Sequence, residues 1–239
     1  MKFFFVIATI FIFFLPMANA NVNIGGTRVI FEEGKRDASI IVYSSADETS
    51  PHLIQSFVDN AGEKGNIKNA SKPPFIVTPP LFRLEPGKEN TIKIIRVGGE
   101  LAKDRESVFW LNVKAIPGLD KKNRTQNTLK LSLKNRIKLF YRPVSLSKAD
   151  MNDRTFDNVQ FIRNGNVLIV RNPTPYFITF NKLRVGGINI NTDFVMTPPK
   201  GEARYLIPSG VMASGVEWTS ITDFGSSSEL RKGVIKNES

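Results

Sequence analysis

Residues 127–141 read Asn-Thr-Leu-Lys-Leu-Ser-Leu-Lys-Asn-Arg-Ile-Lys-Leu-Phe-Tyr. Leu129, Leu131, Leu133 and Ile137 share one parity. Lys130, Ser132, Lys134, Arg136 and Lys138 share the other. In a β-strand successive side chains point to opposite faces, so this stretch is a strand with a leucine face and a basic face. From Leu129 to Tyr141 it runs for about 13 residues, or about 43 Å, whereas strands are typically about five or six residues long. Two readings stand. The leucines fill the core of their own domain, or the strand overshoots that domain and offers apolar side chains and unpaired backbone to another chain.

Outward from this strand the pattern stays β. Short β-branched and aromatic runs recur at Thr27–Phe31, Ser39–Tyr43, Leu53–Val58, Phe75–Thr78, Thr91–Val97 and Ser107–Ile116. Pro73-Pro74, Pro79-Pro80, Pro86-Gly87, Gly98-Gly99 and Pro117-Gly118 punctuate them. About seven strands in about 120 residues fit an immunoglobulin-like sandwich. A second set follows: Val159–Arg163, Val167–Arg171, Tyr176–Val185, Phe194–Thr197, Ala203–Ile207, Val216–Thr222 and Leu230–Lys236. Asn164-Gly165 marks a tight hairpin between its first two runs. The long strand stops at Arg142-Pro143. The reading is all-β, with two immunoglobulin-like sandwich domains at 21–145 and 146–239. Asn60–Lys72 and Asp120–Asn127 read as polar loops.

The first twenty residues are an address. Lys2 precedes an unbroken apolar run from Phe3 to Leu15, and Ala18-Asn19-Ala20 supplies an A-x-A cleavage site. As a helix the run spans only about 20 Å, against about 30 Å of bilayer hydrocarbon. Residues 1–20 are therefore expected to be a signal peptide, and the mature chain to be exported without stable membrane insertion.

Composition excludes much chemistry. The chain has 239 residues and no cysteine, which removes disulfides, thiolate metal sites and a cysteine nucleophile. His52 is the single histidine, so imidazole-rich metal sites go too. No G-x-S-x-G elbow, P-loop or dinucleotide fingerprint occurs. His52 itself, at a strand entry, reads as a satisfied or solvent-exposed histidine. Asp104 and Glu106 could face one way as glycosidase carboxylates, but Arg105 between them favours a structural ion pair. No enzymatic activity, cofactor or metal is expected. Lys and Arg number 33 against 22 Asp and Glu, a net charge of +11, which suits acidic partners.

Two long motifs stand out, Leu101-Ala-Lys-Asp-Arg-Glu-Ser-Val-Phe-Trp-Leu-Asn-Val-Lys-Ala-Ile-Pro117 and Arg136-Ile-Lys-Leu-Phe-Tyr-Arg-Pro143. Thr27-Arg-Val-Ile-Phe31, Thr78-Pro-Pro80, Arg83-Leu-Glu-Pro-Gly87 and Asn172-Pro-Thr-Pro-Tyr176 accompany them. Together, and in the family's order, these motifs resemble the PapD-like periplasmic pilus chaperone family, the two long ones being similar to its first and second signatures. Gly118 departs from the first signature, which prefers Pro, Ala or Ser there. The resemblance implies two sandwiches set in an L or boomerang with a cleft between them. It implies a periplasmic chaperone that caps pilus subunits by donor-strand complementation and passes them to an outer-membrane usher.

Position by position, the resemblance makes Arg28 and Lys138 the cleft cations that hold a subunit's terminal carboxylate. Leu129, Leu131 and Leu133 become the side chains inserted into the subunit's groove. Glu106, Arg142 and Asp223 become an interdomain salt bridge, with Asp223 carried by Ser220-Ile-Thr-Asp-Phe-Gly225. Asn135 interrupts the apolar alternation, and together with the lack of cysteine this places the chain nearer the short-donor class. Self-capping of the free chaperone would hide its leucine edge. Two alternatives are an exported structural pilin or adhesin and a basic glycan-binding sandwich. Export and the lack of aromatic platforms among the bases argue against nucleic acid.

Overall fold

The computed structural model describes residues 22–62, 64–66, 71–118, 131–147 and 153–237. The signal-peptide expectation for 1–20, the Asp120–Asn127 loop, Leu129 and Lys130 lie outside them. Among the described residues, nine strands build the first sandwich: β1 (Val22–Ile24), β2 (Arg28–Glu32), β3 (Ala38–Ser44), β4 (His52–Asp59), β5 (Phe75–Thr78), β6 (Leu81–Leu84), β7 (Glu89–Arg96), β8 (Ser107–Pro117) and β9 (Leu133–Arg142). One sheet has the order β1-β3-β7-β5 and the other β2-β9-β8-β4-β6. Alternation decides which residues enter the core. In β3, Ile40 and Val42 turn inward while Ile41 and Tyr43 stay out. Val42, Ile92 and Ile94 from one sheet meet Ile54, Leu111 and Leu139 from the other. Phe75 sits edge-on to Phe31 and Phe109, with ring centroids 5.3 and 5.0 Å away.

The chain changes sheets at its start. β1 pairs with β3, but after Gly25-Gly26-Thr27 the chain joins the other sheet, where β2 runs parallel to β9. Because of that switch, β2 covers β9 only from Lys138 to Arg142. β8 pairs with β9 from Leu133 to Tyr141. Among the described residues, 133–137 of β9 are thus paired on one edge alone.

A helical turn, α1 (Val144–Ser147), follows Pro143, and a 3-10 turn covers Asp153–Asn158. The second sandwich contains β10 (Gln160–Asn164), β11 (Val167–Asn172), β12 (Phe180–Val185), β13 (Ile188–Asn189), β14 (Gly201–Leu206), β15 (Gly215–Ser220) and β16 (Arg231–Asn237). β16 joins its two layers. Residues 231–234 pair antiparallel with β15, and 235–237 pair parallel with β10. Phe161, Phe180, Leu183 and Trp218 lie in the core between them.

Several predicted runs differ in detail. β1, β6 and β13 are too short to show a period in the sequence. Tyr176–Val185 is a strand only from Phe180, and Phe194–Thr197 is not a strand: Phe194 has φ 59°, and Ile178 meets Thr197 in an isolated bridge. The hairpin turn is Gly165-Asn166, one residue later than the sequence signal, since Asn164 still pairs with Val167. His52 is neither exposed nor fully satisfied: it is buried at the start of β4 with Nδ1 unpartnered.

Candidate functional site

The parity of β9 organises the site. Ile137 packs against the first core, and Leu139 and Tyr141 belong to it. On the same parity, Leu131 and Leu133 run past the end of that core and are 70% and 60% exposed. The other parity, Arg136, Lys138, Phe140 and Arg142, faces away from the core. Phe140 joins Val108, Phe177 and Met196 in a small apolar cluster between the two sandwiches, with Phe140 and Phe177 rings 5.6 Å apart.

Arg142 ties the halves by charge. Its Nε and Nη2 donate to Glu106 Oε1 at 2.9 and 2.8 Å, and its Nη1 donates to Asp223 Oδ2 at 2.7 Å. Its guanidinium also lies over the Tyr176 ring. The second oxygen of Glu106 accepts the Phe177 backbone N–H at 2.9 Å. Burial would lower the Arg142 pKa, but Asp223 and Glu106 reverse that and hold it above its ordinary value. Burial pushes the Glu106 carboxyl up, against the pull of Arg142 and the Phe177 N–H. A buried pair of this kind is costly to form and more costly to break, because removing one partner strands the other.

Beyond this network lie two cations. Arg28 and Lys138 are register partners on the parallel strands β2 and β9. Arg28 Nη1 donates to the Ile221 carbonyl at 3.2 Å, and its guanidinium stacks on Phe140. Its Nε is buried without a partner. Lys138 Nζ, among the described residues, reaches only Thr179 Oγ1, at 3.4 Å. Among the described residues, no carboxylate forms an ion pair with either cation. Burial and then the neighbouring Arg28 charge press Lys138 down to about 8. Burial lowers Arg28 as well, while the more distant Asp223 and Glu106 pull it back. Two half-buried cations held side by side without an anion form a site that an incoming carboxylate would complete.

The position of this pair matters. It sits where β2 begins, at the inner end of the bare edge of β9. A strand laid along residues 133–137 in line with β2 would run parallel to β9. Its C-terminus would then meet Arg28 and Lys138.

The sequence left some of these residues unnamed. Thr179 comes from the second sandwich and no local pattern marks it, while Ile221, inside the motif that carries Asp223, contributes through its backbone carbonyl, to which the side-chain pattern gives no clue. Lys200 pairs with Asp104 across the domains at 2.7 Å. Phe140 had a usable signal, since an aromatic among the basic positions of one face implies a second surface against that face.

The chain matches the PapD N-terminal domain of pili and flagellar-assembly chaperones over residues 21–147. Residues 154–232 match the C-terminal domain of the PapD pili assembly chaperone. The chain belongs to this chaperone family. It is 37% identical over 238 residues to the Escherichia coli chaperone protein FocC, covering 99% of this chain and 100% of FocC. It is 40% identical over 220 residues to FimC of E. coli K12, covering 92% and 86%. A solved structure of the Salmonella enterica SafA pilin in complex with the SafB chaperone aligns with a TM-score of 0.78 at 32% identity, covering 91% of this chain and 98% of that one. The protein is accordingly a pilus-assembly chaperone, a role that is not enzymatic, and the pilin, adhesin and glycan-binding alternatives are not favoured. Among the described residues, no helix is long and apolar enough to cross a membrane.

Proposed function

We propose that this chaperone works in the periplasm, capturing pilus subunits by lending them a strand and handing them to an outer-membrane usher. The bare edge of β9 completes the subunit's sheet. Leu129, Leu131 and Leu133 fill its groove, and Arg28 and Lys138 hold its terminal carboxylate. Glu106, Arg142 and Asp223 fix the two domains about the cleft and do not touch the subunit. The observation that carries this reading is the anion-free cation pair at the inner end of a strand edge left bare. Each charge-assisted bond to a carboxylate contributes about 1.5–3 kcal/mol, and each buried leucine a similar amount. No nucleotide enters the scheme, because burial of apolar groups and pairing of bare backbone supply the free energy.

A pull-down from the periplasm of the native host tests it. The chain carries a C-terminal tag, and Lys138→Ala is run in parallel. A β-rich subunit retained at high salt by the wild type and lost with the folded mutant is expected. Equal retention by both would remove the carboxylate clamp.

A further inference from the structure

The half-paired stretch of β9 raises a mechanical problem. Its leucines leave the core behind, β2 does not reach it, and one edge is bare. A strand held by one neighbour frays, and a frayed donor must be ordered again at every capture, at an entropic cost. Among the described residues, Arg136 is the one side chain of residues 133–137 with a polar contact. Its Nη2 donates to Asp59 Oδ1 at 2.5 Å, its Nη1 donates to the Gly65 carbonyl, and its guanidinium stacks on Trp110 at 4.9 Å from the ring centroid.

The partners are themselves anchored. Asp59 ends β4 and accepts from Asn112 Nδ2 at 2.8 Å, while Trp110 Nε1 donates to the Gly62 carbonyl at 2.8 Å. Gly65 is fitted to the contact: its φ is +67°, and a Cβ there would lie 2.9 Å from the Trp110 ring. The ring of contacts therefore runs from β9 through β4, the segment after it and β8, and returns to β9. Trp110 is also the register partner of Lys138 across β8 and β9, and all of these contacts lie on the face opposite the leucines.

We propose that Arg136 is a positioning residue for donor-strand capture, a strut that holds the bare segment of β9 in an extended, binding-ready form. It acts before a subunit arrives and needs no contact with one. This rests on the donor-strand reading of the cleft, and the test separates the two.

The first readout needs no ligand. Hydrogen exchange compares the β9 amides bonded to β8 in the wild type, Arg136→Ala and Asp59→Asn. Both variants should exchange at least about tenfold faster within 133–137 and unchanged within 139–142. Arg136→Lys keeps the charge but loses the planar fork and the stack, and should fall between. Because Asp59→Asn leaves Arg136 in place, a folding defect confined to Arg136→Ala does not end the experiment.

The second readout is binding of a synthetic peptide of alternating valine and threonine, with a free C-terminal carboxylate or a C-terminal amide. Arg136→Ala should weaken both forms about tenfold and keep the acid-over-amide preference. Lys138→Ala should instead abolish that preference. Unchanged exchange in both Arg136→Ala and Asp59→Asn overturns the strut, whatever the peptides do. Unchanged peptide affinity despite faster exchange overturns its role in capture. A wild type that binds acid and amide equally removes the carboxylate reading, and exchange still decides the strut.

Discussion

Replacing Lys138 with methionine should make the free protein more stable. The ammonium is half-buried beside Arg28, has no carboxylate partner among the described residues, and loses its proton at about 8 where an ordinary lysine does so at 10.5. At about 1.36 kcal/mol per pH unit, that difference sets a ceiling of about 3 kcal/mol on the cost of keeping the charge in the fold. Solvent at the open side of the cleft reduces it, so a gain of about 1–3 kcal/mol at pH 7 is expected. The sign with pH follows from proton counts. Between pH 8 and 10.5 the unfolded chain still binds the proton that the folded chain has released, so wild-type stability rises through that window relative to the mutant. The advantage of Lys138→Met should be full below about 8 and gone above 10.5. Paired urea titrations at pH 7 and pH 10.5 measure both, and a gain of this size raises Tm by roughly 2–4 °C per kcal/mol in a chain of this length. The same variant should lose subunit capture. A mutant less stable at pH 7, or a difference that stays flat with pH, would refute the view that the fold pays to hold a charge without a counter-ion in the cleft.

Other outcomes follow from single contacts. Arg142→Met strands Glu106 in the interface and should cost about 3–5 kcal/mol at pH 7; the carboxyl then takes up a proton more readily, so the loss should shrink at pH 5 in urea unfolding. Leu133→Glu should weaken subunit capture by about 10- to 150-fold while Lys134→Glu changes it little, because only the first shares the leucine parity; neither should move Tm by more than a few degrees, since both side chains are exposed. Gly225→Ala forces φ +82° on a residue with a Cβ and brings that Cβ within 2.5 Å of Thr27 Oγ1 across the domains. It should cost about 1–3 kcal/mol, and part of the loss should return in the double mutant with Thr27→Ala, as read by urea unfolding.

Much of the fold was legible because its strands carry period-2 patterns. β3 and β4 show it in full, and their burial alternates residue by residue. β1 and β13 could not be read, since two or three residues carry no period. The segment from Phe194 to Thr197 looked like a strand by composition, but its apolar residues serve a loop: Met196 packs into the interdomain cluster while Phe194 points to solvent. For the cleft, the alternation of β9 separated the leucines from the bases, and the family resemblance singled out the cations among the bases. The length of the strand raised a bare edge as one of two readings, but where that edge begins was not legible. It arises from the sheet switch at Gly25-Gly26, and a pair of glycines says only that the chain bends, not which strand it leaves uncovered.

One strand carries most of this architecture, and that explains why its register must be held so firmly. A slip of one residue along β9 would exchange its faces, sending Arg136, Lys138 and Arg142 toward the core and Leu139 and Tyr141 toward the cleft. Three unrelated contacts oppose the slip. Parallel pairing sets Arg28 against Lys138, the interdomain cluster holds Phe140, and two carboxylates from different domains hold Arg142. All three act from Lys138 onward, at the end of β9 nearest Pro143. The exposed leucines lie beyond their reach, on the end that the proposed donor-strand role leaves open to another chain. The strand is therefore held on both edges where it packs into this protein and on one edge where donor-strand capture is proposed. The boundary falls at Lys138, where β2 begins and where the two cations stand with no carboxylate partner among the described residues.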